Sequence, residues 1–199
     1  MRSAAVASLL AFSLLSAREL RAQWRFGVGA GIVAIRGASA PTTPGDSVTV
    51  RPYGPLAYGA DASYTAGVWQ GRVSAASGIS GLSVGTGDLF VVDRSGLKLL
   101  LIEPTVARRV AVTGEHAAAW LEAGPSVHVW YPTGADSRLR IGGVVAAVWR
   151  QRARGKVDST VRLFLSASPS PFEASDLPAA YRPSTLWRFG VTFGVDRSL

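Results

Sequence analysis

Residues 187–195 read WRFGVTFGV, an almost unbroken alternation. Trp187, Phe189, Val191, Phe193 and Val195 fall on one parity, and Arg188, Gly190, Thr192 and Gly194 on the other. Successive side chains of a strand point to opposite faces, so this stretch predicts one large apolar face and one small polar face. An apolar face of that kind lines a core or cavity in water, or it faces hydrocarbon in a sheet that crosses a bilayer. The rest of the chain decides between the two.

The same pattern recurs seven more times upstream. Near 24–34, Trp24, Phe26, Val28, Ala30 and Ile32 oppose Arg25, Gly27, Gly29 and Gly31. Near 56–64, Tyr58, Ala60, Ala62 and Tyr64 oppose Gly59, Asp61 and Ser63. From 68 onward, Trp69, Val73 and Ala75 oppose Gln70, Arg72 and Ser74. Around 98–109, Leu100, Ile102, Pro104 and Val106 oppose Glu103 and Thr105. In 119–131, Leu121, Ala123, Val127, Val129 and Tyr131 oppose Trp120, Glu122, Gly124, Ser126, His128 and Trp130. Leu139, Ile141, Val145, Ala147 and Trp149 then oppose Arg140 and Gly142. In the seventh segment Val161, Leu163 and Leu165 oppose Arg162, Phe164 and Ser166.

Between these segments the connections tend to alternate in length. Residues 37–55, 77–96 and 166–184 read as long loops, and the links near 65–67, 111–117 and 151–156 are short; the link at 132–137 breaks the alternation by being short as well. Short turns at one end and long loops at the other are what an outer-membrane barrel has. Up–down threading sends Trp24, Phe26, Tyr64, Trp69, Trp149 and Phe193 toward the short-turn edge and Tyr131, Tyr58 and Trp187 toward the other, as two interfacial aromatic girdles. A soluble lipocalin-like barrel is the rival, but its outer face should be rich in Lys and Glu. Here the polar parity is mostly Gly, Ser and Ala with a few Arg and Glu, which suits a narrow, filled interior.

The first 22 residues carry Arg2, an apolar stretch over 4–17 and small-residue sites ending at Ala17 and Ala22, the layout of a cleaved secretory signal peptide. Its removal leaves 23–199 as one domain and takes the formal charge from +8 to about +6. The basic residues are almost all arginine, with lysine only at Lys98 and Lys156, and they are spread along the chain rather than gathered on one face as a nucleic-acid surface requires. With no cysteine, disulfide scaffolds, thiolate metal sites and a cysteine nucleophile are excluded.

In this pattern the chain resembles the small eight-stranded outer-membrane β-barrel proteins of Gram-negative bacteria. The motif that carries the resemblance is the carboxy-terminal assembly signal: a polar residue, Gly, then two hydrophobic positions, met by Arg188, Gly190, Phe193 and Val195. Members often stop on the final aromatic residue, whereas this chain continues through 196–199. The resemblance implies an all-β, eight-stranded, antiparallel, up-and-down transmembrane barrel in the cell outer membrane. It also implies insertion by the barrel assembly machinery, a setting of bilayer lipid and lipopolysaccharide, and a monomer. It names no single activity.

Strand parity collects Arg25, Asp61, Arg72, Glu103, Glu122, Arg140, Arg162 and Arg188 in the interior, where charges must pair. Glycines on the inner faces of the first and last segments would leave room for the arginines. The expected interface aromatics are Trp24, Tyr64, Trp69, Tyr131, Trp149 and Trp187. Three functions follow from the reading. The first is a structural or surface-interaction protein of the cell envelope with a plugged polar lumen and long outer loops. The second is a porin-like narrow channel or a conduit for small, even apolar, solutes. The third is a lipid-modifying enzyme. Glu122, Ser126 and His128 share one face, but Glu122 and His128 are roughly 20 Å apart along a straight strand, too far for one triad. No catalytic residue, cofactor, metal ligand set or nucleic-acid partner is therefore assigned. Arg108, Arg109, Arg150, Arg152, Arg154 and Lys156 form a basic rim at the short-turn edge. The proline-rich stretch at 167–185 resists regular strand pairing and is a candidate binding surface.

Overall fold

Alternation this persistent commits the backbone to extended pairing, and the computed structural model has that form. It describes residues 23–43, 49–54, 56–86, 89–113 and 116–199; the signal peptide expected at 1–22 lies outside the described residues. The strands are β1 (Gln23–Pro41), β2 (Thr49–Tyr53), β3 (Leu56–Ala66), β4 (Trp69–Thr86), β5 (Leu89–Thr113), β6 (Ala117–Pro132), β7 (Arg138–Arg154), β8 (Val157–Ser168) and β9 (Tyr181–Ser198). All pairings are antiparallel. Leaving β2 aside, eight strands close into a ring: β1, β3, β4, β5, β6, β7, β8 and β9, with β9 returning to β1.

The ring closes with an offset. A row of directly paired residues starts at Ala34 and passes through Phe189, Leu165, Val145, Ala123, Val106, Gly71 and Tyr64, and it returns to β1 at Trp24, ten residues lower. With a rise of about 3.3 Å per residue and about 4.8 Å between strands, that offset tilts the strands by about 40° and gives a wall radius of about 8 Å. Between β5 and β6 the ladder has a gap from Ile102↔Val127 to Val106↔Ala123. Pro104 and Pro125 occupy its middle, and neither has an N–H to donate.

All three stretches expected as long loops are partly strand; in the proline-rich one, expected to resist pairing, 166–168 belong to β8 and 181–184, Pro183 included, to β9, where 181–183 pair with β1. β1 runs on to Pro41, and β2 pairs with β4 from Thr49↔Gly85 to Tyr53↔Gly81. The stretch 77–96 is a tall hairpin, with β4 and β5 paired up to Thr86↔Leu89. Its glycine-rich sequence lacks the alternation of the ring strands although backbone pairing continues, and Leu82 packs on the apolar interior. β9 also takes in Asp196, Arg197 and Ser198. Residues 169–180 are not strand and carry one short 3-10 turn, Ala174–Asp176.

The expected side-chain phase is observed on all eight ring strands: the apolar parity is on the outside. Val28 is 64% exposed, Ile141 62% and Leu163 58%, whereas Glu103 is 2% exposed, Glu122 4% and Arg162 5%. The interior has two storeys. At the end where β3–β4 and β7–β8 turn tightly it is polar and charged. At the opposite end it is apolar, with Val33, Leu99, Trp130, Val144, Phe164 and Leu186 packed together. Phe172 and Leu177, from the segment between β8 and β9, close this apolar storey from above.

Trp130 and Leu186 have no exposed surface. Trp130→Ala should cost about 3–5 kcal/mol of unfolding free energy, measured by urea titration in detergent micelles.

Candidate functional site

The polar storey is built by inward positions of all eight ring strands, and its centre is Glu122 on β6. Arg162 Nε donates to Glu122 Oε1 at 2.6 Å, and Arg72 Nη1 donates to Oε2 at 3.4 Å. Arg72 Nη2 also donates to Asp61 Oδ1 at 3.0 Å, and Arg162 Nη2 lies 2.9 Å from Glu103 Oε2. The result is one chain, Asp61–Arg72–Glu122–Arg162–Glu103, that ties β3, β4, β6, β8 and β5 across the ring. Nearer the tight turns, Arg25 pairs with Asp158. Arg150 Nε donates to Asp196 Oδ2 at 3.1 Å, and Thr160 Oγ1 donates to the same oxygen at 2.8 Å.

Six of the eight charged residues expected inside, Arg25, Asp61, Arg72, Glu103, Glu122 and Arg162, lie in these pairs. Arg188 is 3% exposed, and its Nε and Nη1 have no hydrogen-bond partner among the described residues. Its guanidinium carbon lies 5.7 Å from the centre of the Phe164 ring, and it borders a polar cavity of about 70 Å³ together with Asp61, Glu103 and Arg162. That volume suits a few water molecules. Arg140 stands apart at the loop end, where its Nε donates to the Ser170 carbonyl at 2.7 Å. Three network members, Arg150, Asp158 and Asp196, were not among the expected ones. Each shares parity with an expected member on its own strand, so alternation carried the signal; Arg150 had been assigned to the basic rim and Asp196 to a tail. The inner face of Gly27 makes room for carboxylates rather than arginines, since a Cβ there would meet Asp196 and Asp61.

The rest of the basic rim is divided between surfaces. Arg109 and Arg150 lie on Trp120, 5.7 and 5.9 Å from its ring, at the mouth of an open cup of about 480 Å³ that Arg25, His116 and Arg152 also line. Arg108 faces outward over Trp69, and Arg154 and Lys156 are exposed at the turn. The six expected interface aromatics all face outward. Register and tilt put Trp24, Tyr64, Trp69 and Trp149 at one level and Tyr131 and Trp187 at another about 25 Å away. Tyr58 lies near mid-height instead of at the loop-end edge, because it pairs with Ala30 in the middle of β1. Phe193 also lies inside the apolar zone.

His128 is fully buried, with Nε2 3.1 Å from Ser126 Oγ and Nδ1 3.4 Å from Ser168 Oγ. Glu122 is engaged by Arg72 and Arg162, and among the described residues the partners of this histidine are the two serines, not a carboxylate. Among the described residues no group of three or more His, Asp or Glu side chains could hold a metal ion.

The loop-end segment is latched by charge. Arg138 pairs with Asp176, and its Nη1 donates to the Pro171 carbonyl at 3.1 Å; Ser170 Oγ donates to the Ala38 carbonyl at 2.7 Å. Ala38 has φ 81°, a left-handed conformation at the β1 bulge that costs a non-glycine residue about 1–2 kcal/mol. The hydrogen bond from Arg138 holds the Asp176 carboxyl below its ordinary value of 3.8. Because the folded value is the lower one, the latch contributes fully above the ordinary carboxylate range and is lost as pH falls through the folded value.

Comparison with protein-family models and with curated proteins finds no match to this chain.

Two measurements check the site. Glu122→Gln leaves two buried guanidinium groups short of a counter-charge and should cost about 3–5 kcal/mol in urea titration. Amide exchange over 169–180 should stay slow from pH 7 to 5 and rise below pH 4. Asp176→Asn should raise it roughly two- to five-fold at pH 6, as a half-exposed ion pair allows.

Proposed function

We propose that the chain is an eight-stranded, up-and-down transmembrane β-barrel of a Gram-negative outer membrane. In this reading it has a sealed lumen and serves a structural or surface-interaction role through its loop end. The observation that carries the reading is the inverted polarity of the ring: charges paired within, hydrocarbon displayed all round the outside. Twenty-nine apolar side chains of valine size or larger are exposed among the described residues. Half of about 1.5 kcal/mol for each comes to on the order of 20 kcal/mol, more than the roughly 5–15 kcal/mol that holds a folded domain together. A medium that covers the belt removes that cost, and a bilayer does so while leaving the two ends wet.

Other features support the same reading. The strand tilt of about 40° lies within the range of membrane barrels. Both described ends of the chain lie at the tight-turn end, where Arg25 pairs with Ser198, and the tall hairpin and the 169–180 segment lie at the other. Ion conduction is disfavoured because the Glu122 chain crosses the lumen and Trp130 and Leu186 fill the storey above it. Lipid-modifying chemistry is disfavoured because His128 is fully buried and lacks a carboxylate.

Refolding residues 23–199 in detergent and running boiled and unboiled samples in dodecyl sulfate tests the reading. The expected result is a heat-dependent mobility shift with β-rich circular dichroism; folding in plain buffer with no shift would overturn it. In planar bilayers the protein should give no steady conductance. Leu163→Arg, in the middle of the belt, should weaken folding into vesicles by about 2–4 kcal/mol.

A further inference from the structure

The outward wall of the ring is almost free of charge. At and between the two aromatic levels, its charged residues among those described are Arg36, Lys98, Arg108 and Arg197, all cations and all exposed; Asp93, Arg154 and Arg182, also exposed, lie beyond those levels toward the ends of β5, β7 and β9. None of the four pairs with a carboxylate among the described residues, whereas Arg25, Arg72, Arg150 and Arg162 inside the ring share five carboxylates.

Each of the four sits directly opposite an aromatic residue on the next strand. Arg36 pairs with Trp187 and Arg197 with Phe26, both between β1 and β9. Arg108 pairs with Trp69, its guanidinium carbon 5.8 Å from the ring centre, and Lys98 pairs with Tyr131. The spacing along each strand is the same: ten residues from Phe26 to Arg36 on β1, from Lys98 to Arg108 on β5, and from Trp187 to Arg197 on β9. Ten residues at about 3.3 Å, tilted by about 40°, span about 25 Å along the ring axis. That equals the height of the apolar band of a membrane barrel, about 25 Å. Register also levels the cations at each end: Arg108 and Arg197 fall within about 3 Å of one height, and Arg36 and Lys98 within about 1 Å of the other.

Resting on the membrane reading above, we propose that these four cation–aromatic pairs are lipid phosphate sites, two in each leaflet. The cation takes the phosphate of a bilayer lipid headgroup, and the aromatic ring opposite it lies at the boundary with the acyl chains. An unpaired cation at the edge of an apolar belt gains most from an anion held at that height, and the phosphate layer supplies one there on both sides. The pairs thereby set the depth of the ring in the bilayer, because a vertical shift of a few ångströms would pull one pair of cations into hydrocarbon.

The test uses residues 23–199 folded into mixed phosphatidylglycerol–phosphatidylcholine vesicles, extracted in mild detergent, with retained lipids counted by native mass spectrometry. The unaltered chain should retain phosphatidylglycerol in preference. Arg36→Gln/Lys98→Gln and Arg108→Gln/Arg197→Gln should each lose about half of the retained phosphatidylglycerol, and Lys98→Arg should lose none. All of these should keep the heat-dependent gel shift. Retention unchanged in both double variants, with the gel shift intact, would overturn the phosphate sites alone. Absence of the shift in the unaltered chain would overturn the membrane reading and this inference with it. If one double variant fails to fold, the other and Lys98→Gln alone, expected to lose about a quarter, decide the question.

Discussion

Glu122 holds two guanidinium groups at once, and much of the molecule depends on that arrangement. A wall about 8 Å in radius leaves little room for water around a buried charge, so the lumen arginines other than Arg188, which borders the small cavity, each have a carboxylate beside them. The chain from Asp61 to Glu103 provides this pairing across five strands. It also resists slippage. A one-residue shift of β6 or β8 would carry Glu122 or Arg162 to the apolar outside and leave its partners unmatched inside, so the ion chain and the belt enforce the same register.

The two storeys of the interior then divide the work. At the tight-turn end charge pairs fill the lumen and leave a small polar cavity. At the loop end Trp130, Leu186 and their neighbours form a conventional apolar core, which gives Phe172 and Leu177 a place to dock. The segment carrying those two residues is therefore held both by burial and by the Arg138–Asp176 latch. Its anchor at the strained Ala38 carbonyl shows local backbone cost accepted where loop and wall meet.

Much of this was legible before any coordinates. Parity identified which side chains of all eight ring strands point in and which point out, including the buried positions of Glu103, Glu122 and Arg162. It was less informative where strands outrun the ring. The hairpin through 77–96 and the short β2 carry no clear alternation of apolar and polar residues, and they are extended by backbone pairing with a few contacts such as those of Val50 and Leu82 on the interior cluster. Arg150, Asp158 and Asp196 have the right parity but lie beside turns or past the last alternating position, where Arg150 reads as part of a basic rim, Asp196 as a tail and Asp158 as a turn-side residue with no role of its own.

By itself the sequence determined an all-β chain of eight two-faced segments with large apolar residues on one parity and paired charges on the other, because a strand's period of two is written directly into residue order. Only the tertiary structure decided which arginine meets which carboxylate, and that the interior changes from charged to apolar partway along the axis. It also decided that Arg36, Lys98, Arg108 and Arg197 stand at two levels. These depend on the ten-residue offset at which the ring closes, a property of all eight strands together that no single segment encodes.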